Sequence, residues 1–111
     1  MMWNLFNKKM IVIESDRDSV CMGDDMSRHN VFTEFPQNMK MDSLISELLK
    51  IHSISKGWAI WAGNYDNYKC IKDRNGNWLI NEKTSIKVFF KDIDNYVFFD
   101  MESFGNTKCS Q

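Results

Sequence analysis

The residues of this chain best suited to chemistry by type and spacing are the carboxylates between Glu14 and Asp25. This segment has five acidic residues and one arginine, a net charge of −4, whereas the other 99 residues sum to +3. Its acidic residues are Glu14, Asp16, Asp18, Asp24 and Asp25. Adjacent carboxylates such as Asp24 and Asp25 can bind a divalent cation or serve as an acid–base pair. The ligand spacing of an EF-hand is absent, however, so contact with a basic protein partner is the better interpretation.

Cys21, together with His29 and His52, offers the parts of a thiol nucleophile. Neighbouring carboxylates raise the pKa of a thiol and suppress the reactive thiolate, so a small buried thiol is the better interpretation. The chain has three cysteines, Cys21, Cys70 and Cys109. Their odd number and wide spacing fit neither a disulfide framework nor a zinc site. We therefore predict no catalytic residue, no metal ligand and no cofactor.

The aromatic residues of the second half could form a platform on which bases stack, as in sheets that bind single strands. They are Trp58, Trp61, Tyr65, Tyr68 and Trp78. Such a platform needs neighbouring basic residues, and only Lys56, Lys69, Lys72 and Arg74 are close in sequence. Packing in the core and across strands is the better account of these rings.

The composition predicts one small globular domain that spans residues 1–111. Apolar residues make up 43% of the chain and aromatic residues 14%, which is enough for a core. The net charge of −1, without a basic stripe, argues against binding to duplex nucleic acid. The apolar runs are too short to cross a membrane. The first ten residues place their apolar side chains before their lysines, the reverse of a signal peptide, so we predict a cytoplasmic protein.

Two strands are predicted around the acidic segment. Met10 to Ile13 is a compact β-branched run, and Asn30 to Phe35 alternates up to Pro36, which cannot donate to a sheet. Between them, we interpret Glu14 to His29 as an ordered loop that displays carboxylates and is pinned by Val20 or Met22. The helix pattern that follows, Met41 to His52, carries apolar residues at spacings of three and four, with Asp42 as its predicted N-cap.

The second half predicts mainly strands. In Gly57 to Gly63, Trp58 and Ile60 should face one way and Trp61 the other. Strands at Asp66–Lys72 and Asn77–Ile80 should flank a type I′ hairpin turn at Asn75-Gly76. Spacing favours a helix over a strand for Thr84 to Ile93, with Thr84 or Ser85 as its cap. A last strand is predicted at Tyr96–Met101, and the tail from about residue 105 should be frayed.

These elements predict an α+β domain. We expect an antiparallel or mixed sheet of about five to six strands with one or two helices packed on it. The predicted helix of 41–52 is too short to be stable alone, so it should lie on the sheet.

The order of motifs in residues 10–63 resembles a family of small bacterial proteins. The motifs are the string DSVCMGDDM at Asp18–Met26, a short strand, a D-S-L-x-x-x-L-L helix that starts at Asp42, and G-x-A-x-W at Gly57, Ala59 and Trp61. This order is similar to that of immunity proteins from polymorphic or contact-dependent growth inhibition toxin systems. The second half of the chain carries no signature of this kind.

The resemblance implies a cytoplasmic protein without catalytic activity that binds the C-terminal toxin domain of a cognate effector. Such proteins often cover a nuclease active site, which is positively charged because it holds phosphate, so an acidic surface suits the task. The expected partner-binding residues are Asp16, Asp18, Asp24, Asp25, Trp58 and Trp61. We expect no nucleic-acid or membrane partner, and a monomer or weak dimer. The alternatives are a small carboxylate enzyme or metal-binding protein, and a nucleic-acid binder that uses its sheet.

Overall fold

The computed structural model describes residues 9–18, 30–54, 57–63 and 67–100, which form a five-stranded mixed sheet and two helices. In chain order the elements are β1 Met10–Arg17, β2 Val31–Pro36, α1 Met41–Ile51, β3 Ala59–Ala62, β4 Lys69–Lys72, α2 Ile86–Phe89 and β5 Tyr96–Asp100. The strand order is β2-β1-β5-β3-β4. Strands β1 and β5 are parallel, and the other neighbours are antiparallel. The predicted α+β fold class is confirmed.

The core lies between one face of the sheet and helix α1. Strand β5 occupies the centre of the sheet, and its Val97 and Phe99 are fully buried. Leu44 and Leu48 of α1 pack in the same cluster as Ile13 of β1. Fully burying side chains of this size stabilises a fold by about 1.5–3 kcal/mol each, so this layer holds the sheet and helix together.

Strand β1 runs four residues further than the sequence predicted. Glu14 to Arg17 belong to the strand rather than to a loop, because all four pair with β5, and Glu14 and Ser15 also pair with β2. Ile13 and Ser15 are both fully buried, two positions apart, as the period of a strand requires. The polar Ser15 hides this alternation in the sequence. Asp18 follows the strand, and residues 19–29 of the predicted loop, with Val20 and Met22, lie outside the described residues.

Helix α1 confirms the predicted helix, but its predicted cap is wrong. Lys40 precedes the helix, and no side chain caps it, while Asp42 lies in the first turn. The free amide groups there are satisfied by backbone instead: Met41 N donates to Thr84 O and Asp42 N to Glu82 O. The Asp42 carboxylate is thereby left to accept from Lys83 Nζ at 2.7 Å, which lowers the pKa of Asp42.

The turn after β4 is a hairpin turn, although not of the predicted type I′ form. That form needs positive φ at both central residues, whereas only Gly76 has it, at +90°. Gly76 N donates to Asp73 O, and Asp73 N donates to Asn77 O, as in a three-residue hairpin loop. The predicted strand at Asn77–Ile80 is reduced to a single bridge between Lys72 and Trp78.

The Asp73 carboxylate explains why this turn forms. Its Oδ1 accepts from the backbone N–H groups of Asn75 and Asn77, each at 2.9 Å. These hydrogen bonds lower the pKa of Asp73. They also favour a three-residue loop over the two-residue type I′ turn. The Asn75-Gly76 pair therefore predicted the position of the turn, whereas the hydrogen bonds of Asp73 determine its type.

The last two elements follow the predictions. Helix α2 is a single turn within the predicted 84–93 segment, and Ser85 Oγ accepts from Val88 N at 3.4 Å at its start. Its Ile86 and the following Phe90 enter the core. Strand β5 ends at Asp100, and Met101 and the tail lie outside the described residues.

Candidate functional site

The face of the sheet opposite α1, here called the second face, gathers the acidic residues of β1. Directly paired residues on neighbouring strands share a face, so the register assigns its members. Asp16 is paired with Phe98, which is paired with Trp61, which is paired with Cys70. In the next row, Glu14 lies between Phe32 and Tyr96. The second face includes Met10, Val12, Glu14, Asp16, Phe32, Glu34, Ala59, Trp61, Cys70, Tyr96, Phe98 and Asp100.

The carboxylates on the second face act on two tyrosines. Burial raises the pKa of Tyr96 to about 12, with further contributions from Asp16 and Glu14 and from a side-chain hydrogen bond to Asp16. Burial also raises the pKa of Tyr68, and the negative charges of Asp100 and Asp18 add to the effect. Carboxylates from the end of β1 and from β5 therefore converge on one surface with the two phenols.

Hydrogen bonds within the chain hold these carboxylates. Asn30 Nδ2 donates to Glu14 Oε2 at 2.7 Å, and Arg17 N donates to Asp16 Oδ1 at 2.8 Å. Asp18 is placed by its backbone, since its N–H donates to Phe99 O and its carbonyl accepts from Arg17 Nη1. Acidic side chains that are already fixed lose less conformational entropy when a partner binds, which favours their use as contacts.

Apolar and aromatic side chains lie beside the carboxylates. Phe32 is 66% exposed on β2, and Met10 and Val12 of β1 are about half exposed. At the other end, Tyr68 is 51% exposed and stacks on the buried Trp61, with ring centroids 4.7 Å apart. Exposed aromatic rings next to charged groups are typical of protein-binding surfaces.

Trp61 supports this surface from beneath. It packs with Ala59, Cys70 and Phe98 in a cluster of its own, separate from the main core. Its Nε1 is buried and has no hydrogen-bond partner in the part of the chain that the structure describes. An indole N–H without a partner is costly inside a protein, so this position is not optimised for stability alone.

The structure brings together some of the predicted partner-binding residues and separates others. Asp16, Asp18 and Trp61 lie at the second face, while Trp58 packs against the main core on the helix side. The prediction that Trp58 and Trp61 face opposite ways is confirmed. Asp24 and Asp25 lie outside the described residues. Sequence reasoning missed Tyr96, Phe32 and Asp100, although the alternation of Tyr96, Phe98 and Asp100 offered a signal. Tyr68 was considered only as part of a base-stacking platform and not as a partner-binding residue.

Among the residues that the structure describes, a serine–histidine pair resembles catalytic machinery. Ser15 Oγ lies 2.8 Å from His52 Nε2, which is the distance of a nucleophile and its base. Ser15 is 0% exposed and His52 is 6% exposed, so no substrate can reach the hydroxyl. The pair is a buried polar link between β1 and the end of α1. Among the described residues no group of three potential metal ligands occurs.

Cys70 corrects the expectation that the cysteines form no disulfide. It is half-buried on the second face and is disulfide-bonded. Both other cysteines of the chain, Cys21 and Cys109, lie outside the described residues. An odd number of cysteines leaves one unpaired but does not prevent a bond, because pairing depends on distance in the fold.

Comparison with known proteins adds nothing to this geometry: no family model, no curated protein and no solved structure matches the chain. Within the described residues, no helix is long and apolar enough to span a membrane.

Proposed function

We propose that this protein is an immunity protein that binds a cognate toxin domain and covers its active site, which we take to be that of a nuclease. The observation that carries the proposal is the second face, where Asp16, Asp18, Glu14 and Asp100 meet exposed aromatic rings. A nuclease site is basic because it holds phosphate, and an acidic surface complements it. The resemblance of residues 10–63 to immunity proteins supports the same function.

The two kinds of side chain on the second face have different tasks in this proposal. The carboxylates steer association, since charge complementarity raises the association rate and selects the partner. Phe32 and Tyr68 supply apolar contact, because aromatic residues that become buried carry much of the binding energy at interfaces. Trp61 holds Tyr68 in place through their stacked rings. Asp24 and Asp25 belong to the same acidic segment of the sequence and are proposed as further contacts, although they lie outside the described residues.

The proposed protein acts in the cytoplasm, where it meets a toxin that has entered the cell. Disulfide bonds are rare in reducing compartments, so a cytoplasmic location and the disulfide of Cys70 make opposite predictions about the thiols in cells. Maleimide labelling of rapidly quenched cells, followed by measurement of the intact mass, shows whether the cysteines are reduced or disulfide-bonded in the cell. A fully reduced protein supports the cytoplasmic location, and an oxidised one contradicts it.

Charge reversal on the second face is the direct test. The proposal requires a cognate effector encoded beside this gene, and binding to the C-terminal domain of that effector is measured by titration calorimetry and stopped flow. Asp16→Lys with Asp18→Lys should weaken binding by about tenfold or more, because rim charges set the association rate and desolvated pairs cost about 2–5 kcal/mol. Asp24→Lys with Asp25→Lys should act in the same direction. Raised salt should slow association of the wild type more than that of either variant.

A matched control is available on the helix side of the molecule. Glu47→Lys with Asp92→Lys changes the net charge by the same amount at two exposed positions away from the second face. This control should keep its affinity and should still protect cells that express the toxin. If the control and the Asp16 and Asp18 variant lose affinity equally, net charge rather than the second face is responsible. If no effector domain binds the wild type, the proposed function is wrong.

A further inference from the structure

The two edge strands of the sheet, β2 and β4, differ in how their outer backbone groups are covered. Next to β4, Leu79 N donates to Ile71 O at 2.8 Å, and Trp78 forms a bridge with Lys72, so the chain after the hairpin turn lies along this edge. Strand β2 lies at the opposite edge, and among the described residues its one neighbour in the sheet is β1. An uncovered edge strand presents unpaired N–H and C=O groups that can pair with another strand.

The register shows which backbone groups of β2 point outward. Gln37 N donates to Lys9 O at 2.9 Å at the end of the β1–β2 pair, and opposite residues exchange such bonds at every second position. The odd residues of β2 therefore bond to β1, and the even residues Phe32 and Glu34 direct their N–H and C=O groups away from the sheet. Within the part of the chain that the structure describes, these outward groups make no hydrogen bond.

The side chains of β2 leave this edge accessible. Phe32 is 66% exposed and Glu34 is exposed, and both lie on the second face beside the half-exposed Met10 and Val12. Pro36 ends the strand and has no N–H to donate, so Phe32 and Glu34 are the outward donors of β2. A strand that pairs here gains backbone hydrogen bonds and also covers the exposed ring of Phe32.

We infer that β2 pairs with β2 of a second copy of this chain, antiparallel about a twofold axis that passes through the sheet at Thr33. In this register Thr33 lies opposite Thr33 of the second copy, and Phe32 lies opposite Glu34 on both sides of the axis. The pairs of Phe32 and Glu34 exchange N–H···O bonds because the outward groups of both strands meet there. Paired threonines are a favourable cross-strand pair, and the two Phe32 rings lie on the diagonal within reach of each other.

The sequence of β2 selects this register over its neighbours. A shift of one residue sets the outward groups of one strand against the inward groups of the other and loses the hydrogen bonds. A shift of two residues in one direction sets Glu34 directly opposite Glu34 of the second copy, and opposed like charges are destabilising. A shift of two residues in the other direction leaves Phe35 and Pro36 without a partner in β2. The chosen register is self-complementary, as a twofold interface requires, and it joins the two five-stranded sheets with both second faces on the same side.

Sedimentation velocity of the full chain tests whether the second copy binds. Because small interfaces form weak complexes, the mass should rise from 13.1 kDa toward twice that value between about 5 µM and about 1 mM protein. Glu34→Pro removes an outward N–H and leaves the hydrogen bonds to β1 in place, so it should weaken association by about tenfold or more. Glu34→Gln keeps that N–H and should associate as the wild type does. A wild type that stays monomeric, or equal association in all three proteins, overturns the inference.

Opposite charges at the twofold axis test the register. Thr33→Lys and Thr33→Glu each set like charges opposite each other and should be monomeric, whereas their equimolar mixture should dimerise at least as tightly as the wild type. Leu79→Lys places the same charge on a 45% exposed residue at the covered edge and should leave association unchanged. Circular dichroism checks the folding of each variant, and Glu34→Pro with Glu34→Gln decides the outcome if the Thr33 variants do not fold. A mixture that stays monomeric, or an equal loss in Leu79→Lys, overturns the inference.

Discussion

The two faces of the sheet are built by the same strands, yet they use their side chains in different ways. On the helix face, Ile13, Val97 and Phe99 are fully buried against α1. On the second face, Asp16 and Tyr96 occupy neighbouring strands, and Phe32 is mostly exposed. The period of two along a strand lets consecutive residues serve different purposes, so β1 supplies core residues at odd positions and contact residues at even positions.

This division predicts which substitutions harm the fold and which harm recognition. A change on the helix face removes contacts from a packed core, so its effect appears in the free energy of unfolding. A change on the second face removes side chains that face carboxylates, exposed rings or solvent, so its effect should appear in binding.

The largest effect is expected from Ile13→Ala. Ile13 is 0% exposed, and truncation of a buried isoleucine costs about 2–5 kcal/mol because a cavity remains. Val12, the preceding residue, is 47% exposed on the second face, and Val12→Ala should change stability by only about 0.5 kcal/mol. Urea unfolding of both variants measures the difference. Equal losses would show that the second face is packed as tightly as the core.

A smaller loss of stability is expected from Ser15→Ala. This change removes the hydrogen bond that Ser15 makes with the buried His52, and the loss of such a hydrogen bond costs about 0.5–1.5 kcal/mol. His52→Leu should cost a similar amount. The double variant should be more stable than the sum of the single losses predicts, because each single change already removes the hydrogen bond that the two residues share. Additive losses in this cycle would contradict a structural role for the pair.

The sequence predicted those parts of the molecule that depend on local pattern. Helix α1 was predicted from apolar spacing and differs from the observation by one residue at its end. The extension of β1 was missed because Ser15 is polar, and its burial depends on His52, which lies 37 positions away. A local pattern cannot reveal a hydrogen bond between residues so far apart in the chain.

The candidate site was also predicted only in part, because local sequence patterns do not reveal contacts between distant segments of the chain. Asp16 and Asp18 were predicted from the concentration of charge, which needs no knowledge of the fold. Tyr96 and Asp100 join them only because β1 pairs in parallel with β5, which sets Asp16 beside Phe98. Parallel pairing joins segments far apart in the chain and has no turn signal to mark its register. The charge was therefore readable in the sequence, and its aromatic surroundings were not.

The smallest change in the free energy of unfolding is expected from the ionisation of Tyr96 on the second face at high pH. Its pKa in the folded protein is about 12, against an ordinary value of 10.0, so folding favours the neutral phenol. The resulting stability is fully present below about pH 10 and is lost as the pH rises through about 12. Because the phenol is partly exposed and screened by solvent, the loss should stay below about 1 kcal/mol.

Phenolate absorbance isolates this titration when the spectrum of Tyr96→Phe is subtracted from that of the wild type. Asp16→Asn should lower the pKa of Tyr96, because it removes a nearby negative charge and replaces a charged acceptor of the phenol proton with a neutral one. Glu47→Gln, an equal loss of charge on the exposed side of α1, should leave that pKa unchanged. A pKa near 10 in the wild type would show that the carboxylates of β1 do not face Tyr96. The distinction between the two faces would then rest on exposure alone, and Asp16 would lose its place in the proposed contact surface.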